Sequence, residues 1–140
     1  SSPPRAGSLS GLIAVCIDND ANILDGMTGL LEHWGCEVIS ATDERKAVAI
    51  LRETSADPSI FLLDYHLDGG TGLEAQEWLS GEGYGDVPAV LVTADRSIEL
   101  KEQAEKRRIA IINKPVKPAA LRAVLSQRKA ALRRTGQAAE

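Results

Sequence analysis

Five short apolar runs, at residues 12–17, 37–40, 59–63, 87–92 and 109–112, alternate with stretches of helical spacing, and this alternation restricts the chain to a narrow set of folds. Ile60-Phe61-Leu62-Leu63 is apolar at every position, the pattern of a strand covered on both faces. The first helical stretch, 20–34, spaces Ile23, Leu24, Met27, Leu30, Leu31 and Trp34 for one side and stops at Gly35. Thr42 or Asp43 can cap a second helix through about Thr54, with Ala47, Ile50 and Leu51 inward, before Asp57-Pro58 breaks it. A third over 72–79 offers Leu73, Trp78 and Leu79, after which Gly81, Gly83 and Gly85 mark a loop. A charged helix over 97–106 carries a thin stripe of Ile98, Leu100 and Ala104, and a last helix from about Pro118 aligns Leu121, Val124, Leu125 and Leu132.

Five β–α units in succession predict a parallel sheet with helices on both faces, and right-handed crossovers leave few connections open. The expected class is α/β, a flavodoxin-like (βα)5 doubly wound sheet with strand order 2-1-3-4-5. In that order the first and third strands are neighbours, and ligands bind beyond their carboxyl ends. A chain of 140 residues suits one such domain. We expect a flexible lead-in over 1–11, the domain over 12–128, and a helix end and tail over 129–140. The lead-in is polar, unlike the apolar core of a signal peptide, and no apolar run approaches the ~20 residues that span a bilayer. The chain starts on Ser1 rather than Met, as a segment excised from a longer protein would.

Cys16, inside the first run, and Cys36 read as buried reduced thiols, which fits a cytoplasmic setting. Charge is uneven: residues 1–105 hold 6 Lys/Arg against 19 Asp/Glu, and residues 106–140 hold 10 against 1. No aromatic residue lies among the late cations to stack a base, so they read as a solvated last helix rather than a nucleic-acid surface.

In a parallel sheet the strand endings collect on one rim. Asp18-Asn19-Asp20 follows the first run, Asp64 ends the third, Thr93-Ala94-Asp95 follows the fourth and Asn113-Lys114-Pro115 follows the fifth. Carboxylates ~5 Å apart repel by about 3 kcal/mol at an effective dielectric of ~20, and a divalent cation such as Mg²⁺ relieves that crowding. Asp18 is the stronger metal candidate, whereas Asp20 can equally cap the first helix. The Asp64 carboxylate can attack phosphorus and become an acyl phosphate, with Lys114 and Thr93 on the transferred oxygens. Pro115 biases Lys114 away from helix and admits a cis bond. His66 reads as an exposed loop histidine, and Gly69-Gly70-Thr71-Gly72 lacks the Lys-Ser/Thr of a P-loop.

Taken together, Asp18-Asn19-Asp20, Leu62-Leu63-Asp64, Val92-Thr93-Ala94 and Lys114-Pro115 resemble the receiver domains of two-component response regulators over about residues 12–128. The segments Cys16-Ile17-Asp18-Asn19-Asp20 and Trp34-Gly35-Cys36-Glu37-Val38 are similar to receivers at the C-terminus of hybrid sensor histidine kinases. The resemblance implies a phosphorelay role. Asp64 would take a phosphoryl group from the phosphohistidine of a histidine kinase or histidine phosphotransfer domain. Mg²⁺ (or Mn²⁺) would be held by Asp18, Asn19, Asp64 and the backbone carbonyl of His66. Thr93 and Lys114 would contact the phosphoryl group, and the fourth helix, fifth strand and fifth helix would form the output face, with dimerisation through either helix left open. No direct contact with nucleic acid or membrane is implied, and an isolated receiver catalyses only its own phosphorylation and dephosphorylation. The chain departs from the family in having Asn19 where a second acid is usual and Ile111 where many members have an aromatic.

Three other readings bear weighing. An aspartate-nucleophile phosphatase needs a second acid where His66 stands and a cap domain for which there is no room. A flavin carrier needs a hydroxyl-rich loop after the first strand, where Asp18 and Asp20 would repel phosphate. A degenerate receiver would serve as a docking module without efficient phosphorylation.

Overall fold

The computed structural model describes residues 8–139. The elements run β1 (Ile13–Ile17), α1 (Ala21–His33), β2 (Glu37–Ala41), α2 (Glu44–Thr54), β3 (Ile60–Asp64), β4 (His66–Leu67), β5 (Gly70–Thr71) and α3 (Gly72–Leu79), then β6 (Ala89–Thr93), α4 (Ile98–Lys106), β7 (Ala110–Asn113) and α5 (Pro118–Ala139). The main sheet is parallel in the order β2-β1-β3-β6-β7. Counting only its own strands, that order is 2-1-3-4-5, the doubly wound arrangement expected from the alternating pattern.

Strand parity divides the core in two. Val15, Ile17, Phe61, Leu63 and Leu91 face one way and pack with Ala47, Val48 and Leu51 of α2, Leu73 and Leu79 of α3, and Leu100 and Ala104 of α4. Ala14, Cys16, Ile60, Leu62, Val90 and Ile112 face the other way and pack with Leu24 and Leu31 of α1 and Leu121 and Leu125 of α5. Both parities are buried, which is why these strands are apolar throughout.

Each helix start has a local cause. Asp20 caps α1 by accepting from the N–H groups of Asn22 and Ile23, Asp43 caps α2 through Lys46, and Ser97 caps α4 through Leu100. Thr71 and Glu74 form a reciprocal capping box at the start of α3.

Several expectations need correction. Ile98 is 69% exposed and Leu132 37% exposed, so neither belongs to the stripe that Leu100, Ala104, Leu121 and Leu125 bury. Ile98 is the first residue of α4, ahead of its packed turns, and Leu132 lies on a helix that outruns the sheet. The stretch read as a glycine loop begins as a wide helical turn over Ser80–Tyr84, ended by Gly83 at φ 104°. The loop after Asp64 contains a two-residue antiparallel ladder, β4 with β5.

Part of the expected lead-in, residues 1–7, lies outside the described residues. From Ser8 onward the segment is anchored: Leu9 and Leu12 are buried, and the Leu9 N–H donates to the Trp34 carbonyl at 2.9 Å. Cations of the basic end serve this seam. Lys129 donates to the Ser8 carbonyl, Arg128 Nε donates to the Ser59 carbonyl at 2.7 Å, and Arg122 stacks over Trp34. No helix among the described residues is long and apolar enough to cross a membrane.

Cys16 and Cys36 are both buried free thiols. Burial, aided by Cys36 and Asp18, pushes the Cys16 thiol up to about 12, and burial raises Cys36 as well. Because the thiolate is the nucleophile, neither cysteine should react with a thiol reagent at pH 8 while the protein is folded, and both should react in denaturant. Rapid stoichiometric labelling of the native protein would contradict this burial.

Candidate functional site

The register of the sheet assembles the site. Ile17 pairs with Leu63, Asp64 with Val92, and Thr93 with Asn113. Asp18, Asp64 and Lys114 therefore follow or end strands side by side. All three fall on the parity of Cys16, Leu62 and Ile112, which faces α1 and α5. The carboxylates are each 5% exposed. Lys114 Nζ lies 2.8 Å from Asp64 Oδ1 and 3.7 Å from Asp18 Oδ2, so one ammonium serves two buried carboxylates.

The electrostatics follow from that shortage. Burial is the main cause that lifts the Asp18 carboxyl above its usual range, and the Asp64 charge adds to it. The N–H of Asp20, which donates to Asp18 Oδ1 at 2.9 Å, and the Lys114 ammonium pull the other way without cancelling the rise. For Lys114, burial opposes the charge, but the hydrogen bond and charge of Asp64, together with Asp18, outweigh it and hold the ammonium above its ordinary value.

The remaining candidates sit around this triad. Asp20 turns to the N-terminus of α1 and is spent as its cap, so the three-carboxylate crowd reduces to two. Asn19 is exposed, and its Nδ2 donates to Asp68 Oδ1 at 2.8 Å. His66 opens the β4–β5 ladder with an exposed ring set edge-on to Tyr65 at 4.9 Å between centroids. Thr93 ends β6 at 1% exposure, on the opposite parity from Asp64, and its hydroxyl accepts from the Asp95 N–H at 3.0 Å. The Lys114 N–H donates to the Thr93 carbonyl at 2.8 Å, which ties the β7 tip to the β6 tip. The Lys114–Pro115 bond is cis.

Two contributors have weak signals in the sequence. Asp68 reads only as a turn residue beside Gly69-Gly70, although it is the partner of Asn19. Gly72 begins α3 so close to β3 that a Cβ there would meet the Asp64 carbonyl oxygen at 2.6 Å. Among the described residues no group of three or more His, Cys, Asp or Glu side chains could hold a metal. The oxygen donors brought together are the Asp18 and Asp64 carboxylates, hard ligands that suit Mg²⁺ rather than a softer ion.

Comparison with known proteins places this geometry in a family. The response regulator receiver domain matches residues 14–126. The phosphate regulon transcriptional regulatory protein PhoB of Pseudomonas aeruginosa is 31% identical over 128 residues, covering 90% of this chain and 54% of that protein. The Arabidopsis thaliana two-component response regulator ARR21 is 28% identical over 102 residues, 73% of this chain and 16% of that protein. The chain thus spans about half or less of the length of these relatives. The structure of the chemotaxis protein CheY4 of Vibrio cholerae superposes with a TM-score of 0.74 at 23% identity, covering 83% of this chain and 97% of that one. NtrX of Brucella abortus gives 0.74 at 25% identity, covering 89% and 29%. With the family's model matched over most of its length, the chain belongs to the response regulator receiver domain family of two-component signalling.

Proposed function

We propose that Asp64 accepts a phosphoryl group and that the domain works as a phosphorylation-controlled relay or switch. The observation that carries the reading is the single Lys114 ammonium, 2.8 Å from Asp64 and 3.7 Å from Asp18, set against two buried carboxylates. The pocket has more negative charge than its own cation offsets, and it offers oxygen donors alone. Asp18 and Asp64, with the Asn19 amide oxygen and the His66 backbone carbonyl, would hold Mg²⁺ (or Mn²⁺). When bound, the cation would supply the positive charge that lets an anionic phosphoryl group approach two carboxylates.

In the transfer an Asp64 carboxylate oxygen bonds to phosphorus as the phosphorus–nitrogen bond of a donor phosphohistidine breaks, and the freed imidazole takes up a proton. Lys114 stays paired with the new phosphoryl oxygens. Thr93 accepts from Asp95 through its oxygen and keeps its own proton to donate. The dianion on Asp64 then biases the β4–β5 hairpin, the loop after β6, and α4. The donor would be a histidine kinase or histidine phosphotransfer domain, the output face α4, β7 and α5, and the parent a cytoplasmic signalling protein of the hybrid histidine kinase type. Residues 12–128 would make up the receiver.

Incubation with Mg²⁺ and acetyl phosphate should add one phosphoryl group, mapped to Asp64, and EDTA should prevent it. An unchanged intact mass, or an adduct insensitive to EDTA, would overturn the reading. Ile111 favours one rival: an aliphatic residue holds the β7 position where the resemblance sets a mobile aromatic. A docking module of that kind would bind a phosphotransfer partner while its mass stayed unchanged.

A further inference from the structure

One side-chain hydrogen bond ties the loop after β1 to the β4–β5 hairpin. Asn19 Nδ2 donates to Asp68 Oδ1 at 2.8 Å, between residues 49 positions apart. The hairpin's backbone bonds run within the ladder and on to Tyr65 and α3, and Leu67 packs on the core. The two strands pair His66 with Thr71 and Leu67 with Gly70. The Thr71 N–H donates to Glu74, and the Gly72 N–H donates to the Tyr65 carbonyl at 2.7 Å. Asn19 itself stands between Asp18, whose carboxylate lies in the pocket, and Asp20, which caps α1.

We propose that Asn19 and Asp68 are a positioning pair for the acidic pocket. The neutral amide clasps the hairpin to the β1 loop, brings the Asp68 charge to the edge of the pocket, and steadies the His66 carbonyl. The inference rests on the phosphoacceptor reading above and adds a division of labour within it. An amide N–H to a carboxylate is a charge-assisted bond, which holds an exposed loop better than a neutral pair does. Among the described residues the Asn19 side chain bonds through its nitrogen, which leaves its carbonyl oxygen as a donor to a cation. A carboxylate at position 19 would meet Asp68 as a like charge and push the hairpin away. Partners that orient metal ligands in this way typically change metal affinity about 10- to 100-fold.

The test uses the full chain and two readouts: Mg²⁺ affinity by calorimetry, and hydrogen exchange of the amides at 66–71 in metal-free protein. Asp68→Ala should weaken Mg²⁺ binding about 10-fold or more and speed exchange across the hairpin. Asn19→Asp alone should speed the same exchange. The reversed pair, Asn19→Asp with Asp68→Asn, rebuilds the amide–carboxylate bond with the same total charge. It should restore hairpin protection and bring Mg²⁺ affinity back close to native, a rescue that general damage to the fold does not produce. If the native chain binds Mg²⁺ while Asp68→Ala leaves affinity and exchange unchanged, or if the reversed pair behaves as the sum of its single changes, the clasp is wrong. Failure of the native chain to bind Mg²⁺ at all would instead overturn the reading of the pocket, and the metal role of the pair with it.

Discussion

Asp64→Asn is expected to abolish phosphoryl uptake from acetyl phosphate while leaving the metal-free protein within about 1 kcal/mol of its native stability. The two halves of this expectation have separate causes. The amide is not a nucleophile toward phosphorus, so the adduct should vanish rather than slow. Stability should survive because the side chain keeps its shape and its oxygen still accepts from Lys114, now 2.8 Å from a neutral group. What the pocket loses in attraction to Lys114 is offset by relief of the repulsion with Asp18. The Asp64 charge is one of the causes that lift the Asp18 carboxyl, so its removal should let Asp18 fall back toward the usual range, with burial still holding it up. Replacing a charge that repels one neighbour and attracts another moves stability much less than breaking a simple buried pair, which costs about 3–5 kcal/mol. Mg²⁺ affinity should drop with the lost charge. Intact mass, thermal melting and calorimetry separate the three effects. Persistence of an adduct would mean that another residue is the acceptor, and a collapse in melting temperature would mean that Asp64 is a structural charge rather than a chemical one.

The triad was legible in the sequence for a reason that lies in parallel sheets. Strands buried on both faces admit few polar residues, so a carboxylate directly after Ile17 or Leu63 and a lysine after Ile112-Asn113 stand out as strand ends. Once the strand order is known, parity brings Asp18, Asp64 and Lys114 onto one side of one rim. Contacts between loops are different. Asn19 and Asp68 meet because of a two-residue ladder between Leu67 and Gly70, and nothing in the hydropathy pattern announces so short a pairing. Periodicity also says which residues share a helix face but not how far the sheet extends beneath it. At 22 residues α5 is about 33 Å long, against roughly 17 Å for a five-residue strand, so Leu132 keeps the phase of Leu121 and Leu125 but stays 37% exposed where they are fully buried. The Ser80–Tyr84 turn was hidden by its glycines, which signal a break without saying that the chain completes a wide helical turn first.

Gly72→Ala should destabilise the domain by about 2–3 kcal/mol, near the upper end of the range for overpacking, and should impair phosphorylation at temperatures where the variant is still folded. A Cβ at position 72 would lie 2.6 Å from the Asp64 carbonyl oxygen and 2.8 Å from Leu91 Cδ2. Leu91 could yield by changing rotamer, but the carbonyl has nowhere to go. Asp64 pairs with Val92 on β6, and the next N–H, that of Tyr65, donates to the Val92 carbonyl at 3.0 Å. The Gly72 N–H also donates to the Tyr65 carbonyl at 2.7 Å, so α3 cannot simply lift off without losing that bond. The gain of up to about 1 kcal/mol from replacing glycine in a helix is too small to offset this, and is smaller still at a first helical position. For a domain of this size the cost corresponds to a fall in melting temperature of about 6–12 °C. Gly26→Ala is the matched control, because a Cβ there meets nothing within 4 Å in the middle of α1. It should raise stability by up to about 1 kcal/mol and leave phosphoryl uptake unchanged. If Gly72→Ala instead melts like the native chain and takes up phosphate at the native rate, the start of α3 is not packed on the carbonyl of the acceptor, and the helix does not set the position of Asp64.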